Sequence, residues 1–132
     1  NMACRTAEPI VTFAEIRKIN KILQGEIWIA DLGERDGSIQ CGKRPVIVLQ
    51  NDVGNKYSPT TIVVPLTSQL KNLLPVHTDL GVECGLKKTS TCLMEQIVTI
   101  NQSQLINKIG ELNEDGYKAI KNAIVASFKG IL

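Results

Sequence analysis

The chain has 132 residues, 43% of them hydrophobic and 21% charged, and a formal net charge of +2. This length suits a single domain with a buried core, and the composition excludes disordered and fibrous proteins. No apolar run approaches the roughly 18 residues that a membrane-spanning helix requires, so we expect no membrane segment. The small charge excludes a surface built to coat duplex DNA, so any contact with nucleic acid is expected to be local.

The cysteine and histidine content argues against a metal site. The four cysteines form no CxxC pair, and the single histidine is His77. These spacings lack the ligand pairs of zinc sites, so we expect neither a metal nor another cofactor. No N-terminal apolar stretch resembles a signal peptide, which predicts a cytoplasmic chain with reduced thiols.

Residues 1–24 differ in character from residues 25–132, and we treat them as an N-terminal extension to one domain. Thr12 and Glu15 form a capping-box pattern, and isoleucines follow at helical spacing. This pattern predicts a helix from Phe13 to Leu23.

From Glu26 onward, short β-type runs alternate with turn residues. They predict five or six strands, at 26–32, 44–50, 60–66, 77–80, 90–100 and 108–112. The second and third runs are nearly continuous in β-branched residues, which indicates strands covered on both faces. Asn113 is a good helix start, and apolar residues at helical spacing continue to Phe128, which predicts a C-terminal helix. The fold class is therefore α+β and mainly β, either a small barrel or a sheet backed by helices.

Two polar loops, at 33–43 and 51–59, are longer than simple hairpin turns, and function is often found on such loops. Arg44 follows the first loop at the start of a buried strand. It is placed either to bind an anion or to pair with a carboxylate such as Glu95. Thr67 ends the third strand, where its hydroxyl either caps a turn or donates to a phosphate. Signatures of phosphate loops, zinc peptidases and serine hydrolases are absent from the sequence.

Four motifs in order carry a family resemblance. They are GSIQCGKRPV at 37–46, QNDVGN at 50–55, SPT at 58–60 and PLTSQ at 65–69. Together with LMEQIVTI at 93–100 and the C-terminal helix, they make residues 25–132 resemble the MazF/PemK toxins of bacterial toxin–antitoxin systems. The resemblance implies an SH3-like curved β-barrel, a homodimer and a metal-independent endoribonuclease that cuts single-stranded mRNA at a short sequence. It also implies a MazE/PemI-like antitoxin as the protein partner.

The resemblance further implies that Arg44 and Thr67 are central to cleavage. RNA supplies its own nucleophile, the 2′-OH, so cleavage needs in-line positioning, removal of that proton, stabilisation of the charge on the phosphate and protonation of the leaving 5′ oxygen. We expect Arg44 and Thr67 to stabilise the phosphate. The general base stays open, with Glu95 as one candidate. The candidates for RNA contact are Ser38, Gln40, Lys43, Asn51, Asn55, Tyr57, Ser68, Gln69, Glu95 and Gln96.

Two positions depart from the family pattern. Ile39 stands where many relatives have Glu, and Val98 stands where they have Arg or Lys. Either change can alter the RNA sequence that is cut or weaken the activity. Two alternatives therefore stay open: a toxin of the same fold that poisons DNA gyrase, and a non-catalytic barrel that only binds an antitoxin.

Overall fold

The computed structural model describes residue 12 and residues 21–68 and 77–132. Most of the helix predicted from Phe13 to Leu23 lies outside these residues, as does Gln69. The described end of that segment, residues 21–23, is not helical.

Among the described residues, seven strands form one curled antiparallel sheet. They are β1 (Glu26–Asp31), β2 (Lys43–Val48), β3 (Thr60–Thr67), β4 (His77–Leu80), β5 (Ser90–Leu93), β6 (Val98–Asn101) and β7 (Leu105–Glu111). Their order is β4-β5-β3-β2-β1-β7, and β6 pairs with β3 beside β5. β3 thus changes partner along its length, from β6 at Thr60–Val63 to β5 at Leu66–Thr67.

This change of partner explains why the single run predicted at 90–100 is two strands. A short 3-10 helix, Met94–Gln96, separates β5 from β6. The prediction of a mainly β, curved sheet is confirmed, with one strand more than the run pattern indicated.

Both faces of the central strands are covered, as the β-branched runs predicted. Ile47 and Val64 are fully buried on the face that packs against the C-terminal helix. We call this the helix face. The opposite face, the Val46 face, carries a second cluster built around Ala30, Val46, Val48 and Val63. Because successive residues of a strand point to opposite faces, each side chain of β2 and β3 points either to the helix face or to the Val46 face.

Two α-helices complete the described fold. The C-terminal helix α2 (Glu114–Ser127) begins after Asn113, whose side chain accepts the Gly116 N–H at 2.8 Å. This confirms its prediction. The other helix, α1 (Asp52–Tyr57), lies in the segment interpreted as a loop, and its N-cap Asn51 accepts the Gly54 N–H at 2.8 Å. In the described part of the chain, no helix has the length and apolarity needed to cross a membrane.

Candidate active site

Arg44 and Thr67 lie on the same face of the sheet. In the antiparallel pairing of β2 with β3, Val46 stands opposite Pro65. Arg44 precedes Val46 by two residues and Thr67 follows Pro65 by two, so both share the Val46 face at one end of the two strands. Neighbouring strands are about 5 Å apart, so the backbones that carry these side chains are close. The fold thus brings together two residues that are far apart in the chain.

The Arg44 guanidinium is half-buried and only partly engaged. Its Nε donates to the Cys41 carbonyl oxygen at 3.1 Å, which fixes the side chain against the preceding loop. Arg44 forms no ion pair with any of the described residues. The alternative that Arg44 serves as the structural partner of Glu95 is therefore not what the structure shows. An arginine held by Nε retains its terminal nitrogens as a fork for an anion such as a phosphate.

Thr67 is the last residue of β3 and is only 3% exposed. It pairs with Thr91 of β5. Burial restrains its side chain, so its hydroxyl has a defined position beside the Arg44 strand. The next residue, Ser68, is exposed.

A polar bridge holds the β1–β2 loop to the segment after β5. Gln96 Oε1 accepts the Gln40 N–H at 2.8 Å, and Gln96 Nε2 donates to the Ser38 carbonyl oxygen at 3.1 Å. Ile39, which lies between Ser38 and Gln40, is 49% exposed. Gln96 therefore shapes the loop that leads into Arg44, a role that the sequence did not reveal. Lys43, at the end of the same loop, is exposed, as is Glu95.

Three of the predicted RNA-contacting residues are not in this region. Asn51, Asn55 and Tyr57 belong to α1 and its cap, which follow β2 at the end opposite Arg44. From Arg44 to Val48 the strand advances about 13 Å. The structure therefore separates these residues from Arg44 and Thr67. Tyr57 is 44% exposed there, with Lys56 Nζ 4.7 Å from its ring centre.

Asn55 is a structural residue. It is 5% exposed, and its Oδ1 accepts both the Thr61 hydroxyl at 2.7 Å and Gln50 Nε2 at 3.0 Å. Its Nδ2 donates to the Gln50 carbonyl oxygen at 2.9 Å. The prediction that Asn55 reads RNA bases is corrected, because its amide is buried and used within the protein.

Two polar residues that the sequence analysis missed extend the row that contains Thr67. Thr91 of β5 pairs with Thr67 on one side and with Asp79 of β4 on the other. Thr91 Oγ1 donates to Asp79 Oδ1 at 2.9 Å. The sequence signal was weak, since β4 and β5 are short and their pairing depends on the tertiary fold.

A cavity of about 590 Å³ lies on the helix-face side of the same strand ends. Its walls include Ile29, Pro45 and Ile109, and Lys87 and Lys88 contribute to its lining. Pro45 and Ser68 line it while their neighbours Arg44 and Thr67 point to the other face. The cavity is thus separate from the row of Arg44 and Thr67.

No group of three or more potential metal ligands lies together among the described residues. Cys92 is buried beneath the strand end. Burial, with a further contribution from the charge of Glu95, raises the pKa of its thiol to about 12, so Cys92 stays protonated at neutral pH.

Comparison with known proteins identifies the family. Residues 23–128 match the family described as "PemK-like, MazF-like toxin of type II toxin-antitoxin system". Endoribonuclease EndoA of Bacillus subtilis is 39% identical over 108 residues, which cover 80% of this chain and 93% of that protein. Endoribonuclease MazF of Staphylococcus saprophyticus is 41% identical over 103 residues, which cover 76% and 86%.

Solved structures agree in fold. The toxin MazF-mt6 of Mycobacterium tuberculosis has a TM-score of 0.68 at 25% identity, covering 79% of this chain and 96% of that one. MazF of Deinococcus radiodurans has a TM-score of 0.70 at 18% identity, covering 82% and 96%. The family match, the two relatives at about 40% identity and the shared fold together show that this chain belongs to the PemK/MazF family of toxins of type II toxin–antitoxin systems.

Proposed function

We propose that this chain cuts single-stranded mRNA at a short sequence without a metal ion, with Arg44 and Thr67 at the scissile phosphate. Its family membership and its two relatives named as endoribonucleases make it an endoribonuclease toxin. The observation that carries the assignment of residues is the placement of Arg44 and Thr67 on one face at one end of β2 and β3.

The chemistry requires no cofactor, because the RNA provides the nucleophile. The 2′-hydroxyl gives up its proton to a base or to water as its oxygen attacks the adjacent phosphorus, the bond from phosphorus to the 5′ oxygen breaks, and the leaving oxygen takes up a proton from water or an acid. The products are a 2′,3′-cyclic phosphate and a 5′-hydroxyl. The Arg44 fork offsets the charge that builds on the phosphate oxygens, and the Thr67 hydroxyl adds a hydrogen bond. Arginine holds its proton too tightly to be an efficient acid, so we assign it to charge stabilisation.

We also propose that the chain acts in the cytoplasm as a homodimer controlled by an antitoxin. A mycobacterial endoribonuclease was solved in complex with its cognate antitoxin, and Deinococcus radiodurans MazF was solved with MazE. These neighbours support an antitoxin as the protein partner of this chain too, and we propose that it covers the site. Among the residues proposed for RNA contact, Ser38, Gln40, Lys43, Ser68 and Gln96 stay candidates by their position near Arg44 and Thr67, while Glu95 and Gln69 stay candidates from the sequence alone.

The test uses purified protein and a panel of single-stranded RNAs in the presence of EDTA. We expect cleavage by the wild type, and a loss of at least about 100-fold in kcat for Arg44→Ala and Thr67→Val, since each removes a group at the developing charge. Ser103→Ala, at an exposed position, is the matched control and should cleave normally. A 2′-deoxy substitution at the cut site should abolish cleavage.

Two results would contradict the proposal. If Arg44→Ala cleaves RNA as fast as the wild type, Arg44 does not act at the scissile phosphate. Intact RNA in expressing cells, together with broken DNA trapped on gyrase, would favour the gyrase-poisoning alternative.

A further inference from the structure

A row of polar side chains crosses four neighbouring strands on the Val46 face. Arg44 of β2 and Thr67 of β3 share this face, Thr67 pairs with Thr91 of β5, and Thr91 pairs with Asp79 of β4. Leu66 and Cys92, the neighbours of Thr67 and Thr91, also pair with each other, and both lie in the helix-face core. Because adjacent residues of a strand point to opposite faces, Thr67 and Thr91 point to the Val46 face. Asp79 is therefore two strand spacings, about 10 Å, beyond Thr67.

Asp79 is held in a defined orientation but is exposed. Thr91, only 8% exposed, donates its hydroxyl proton to Asp79 Oδ1 at 2.9 Å. A carboxylate oxygen has two lone pairs, so Oδ1 and Oδ2 can both accept further hydrogen bonds. Within the described residues Asp79 forms no ion pair with a lysine or arginine. The Asp79 carboxylate is therefore able to accept hydrogen bonds from the solvent side, on the same face as Arg44 and Thr67.

Resting on the function proposed above, we propose that Asp79 determines sequence specificity by accepting hydrogen bonds from a guanine next to the scissile phosphate. A carboxylate repels phosphate groups, so RNA that lies along this row must meet Asp79 with something other than its backbone. Single-stranded RNA is commonly recognised through bases that are splayed out and read at their edges. A nucleoside turned out from the scissile position extends far enough to reach the next strands of the row.

Guanine is the base that matches a carboxylate. Its Watson–Crick edge presents two adjacent donors, N1–H and the N2 amino group, which pair with the two carboxylate oxygens. Adenine and cytosine present one amino group beside a lone pair, and uracil presents one N–H between two carbonyl oxygens. In each of these bases, an acceptor faces the carboxylate and is repelled.

The experiment compares cleavage-site preferences of the wild type and of Asp79→Asn, measured by sequencing the 5′ ends of fragments from a randomised RNA pool. We expect the wild type to prefer guanine at one position beside the cut, and Asp79→Asn to lose that preference while the other positions keep theirs. On a fixed guanine-containing RNA, kcat/KM should fall roughly 10- to 100-fold, as for loss of one bidentate base contact. Asp115→Asn, an exposed change in α2, is the matched control.

Inosine separates base recognition from a structural effect. It lacks the N2 amino group, so replacing the guanine by inosine should slow the wild type but should not slow Asp79→Asn further. Thr91→Val, which removes the hydroxyl that orients Asp79, should weaken the guanine preference without abolishing cleavage.

The inference is overturned if the active wild type shows no guanine preference beside its cut site, or if Asp79→Asn keeps that preference unchanged. A wild type that cuts none of the RNAs overturns the proposed function instead, and the inference with it.

Discussion

At the scale of single residues, the same side-chain type has different roles depending on burial. Asn51 and Asn55 stand four positions apart and both belong to motifs shared with the family. Asn51 is exposed and caps α1, whereas Asn55 is buried and connects Gln50 to Thr61. The sequence favoured RNA contact for both, since side-chain amides suit base edges. Only burial distinguishes the structural amide from the accessible one.

Asn55→Ala should destabilise the fold more than it alters RNA recognition. The change leaves the buried Thr61 hydroxyl without its acceptor and the Gln50 carbonyl oxygen without its donor, which costs about 2–4 kcal/mol. Asn51→Ala removes only a helix cap and should cost about 1 kcal/mol. Urea denaturation of both variants measures the difference. Equal losses of stability, or an altered cleavage sequence in a fully stable Asn55→Ala, would contradict this interpretation.

At the scale of elements, the β1–β2 loop depends on a distant glutamine. Gln96 lies on the 3-10 helix between β5 and β6, and its amide contacts backbone groups of Ser38 and Gln40. The loop leads directly into Arg44, whose Nε contacts the Cys41 carbonyl oxygen. A change at Gln96 can therefore alter the loop that it contacts and, through the loop, the orientation of Arg44.

Gln96→Ala should free the Gln40 amide. Loss of one hydrogen bond worth about 1 kcal/mol predicts roughly fivefold faster hydrogen exchange at that amide. Exchange measured by NMR tests this, with Glu95→Ala in the same 3-10 helix as control, since the Glu95 side chain is exposed. Unchanged protection of Gln40 would show that other contacts hold the loop.

At the scale of the whole molecule, the net charge of +2 limits how RNA is bound. The row on the Val46 face combines one arginine and two threonines with the carboxylate of Asp79. Such a surface suits a short stretch of single strand, recognised by a small number of phosphate contacts and by base edges.

The affinity for a non-cleavable RNA should depend weakly on salt. Each phosphate contact on a single strand contributes about 0.7 to the slope of log K against log salt concentration, so about two to four contacts predict a slope near 1.5–3. Titration of an RNA with a 2′-deoxy cut site at several salt concentrations measures this slope. A slope that corresponds to ten or more contacts would reveal a basic surface beyond the row described above.

The sequence by itself determined the local features. Runs of β-branched residues located β2 and β3, and Asn113 with its following apolar stripe set the start of α2, because backbone preferences and capping act within a few residues. The order of motifs also indicated the family and pointed to Arg44 and Thr67. α1 was missed because six helical residues carry little periodic signal.

Only the tertiary structure decided which side chains meet. Whether a strand residue points to one face or the other follows from strand register, and register depends on pairing between distant segments. That pairing placed Thr91 and Asp79 in line with Thr67, moved Asn55 into the interior, and joined Gln96 to the β1–β2 loop. Long-range hydrogen bonds and burial determine where these side chains lie, and neither can be inferred from a short stretch of the chain.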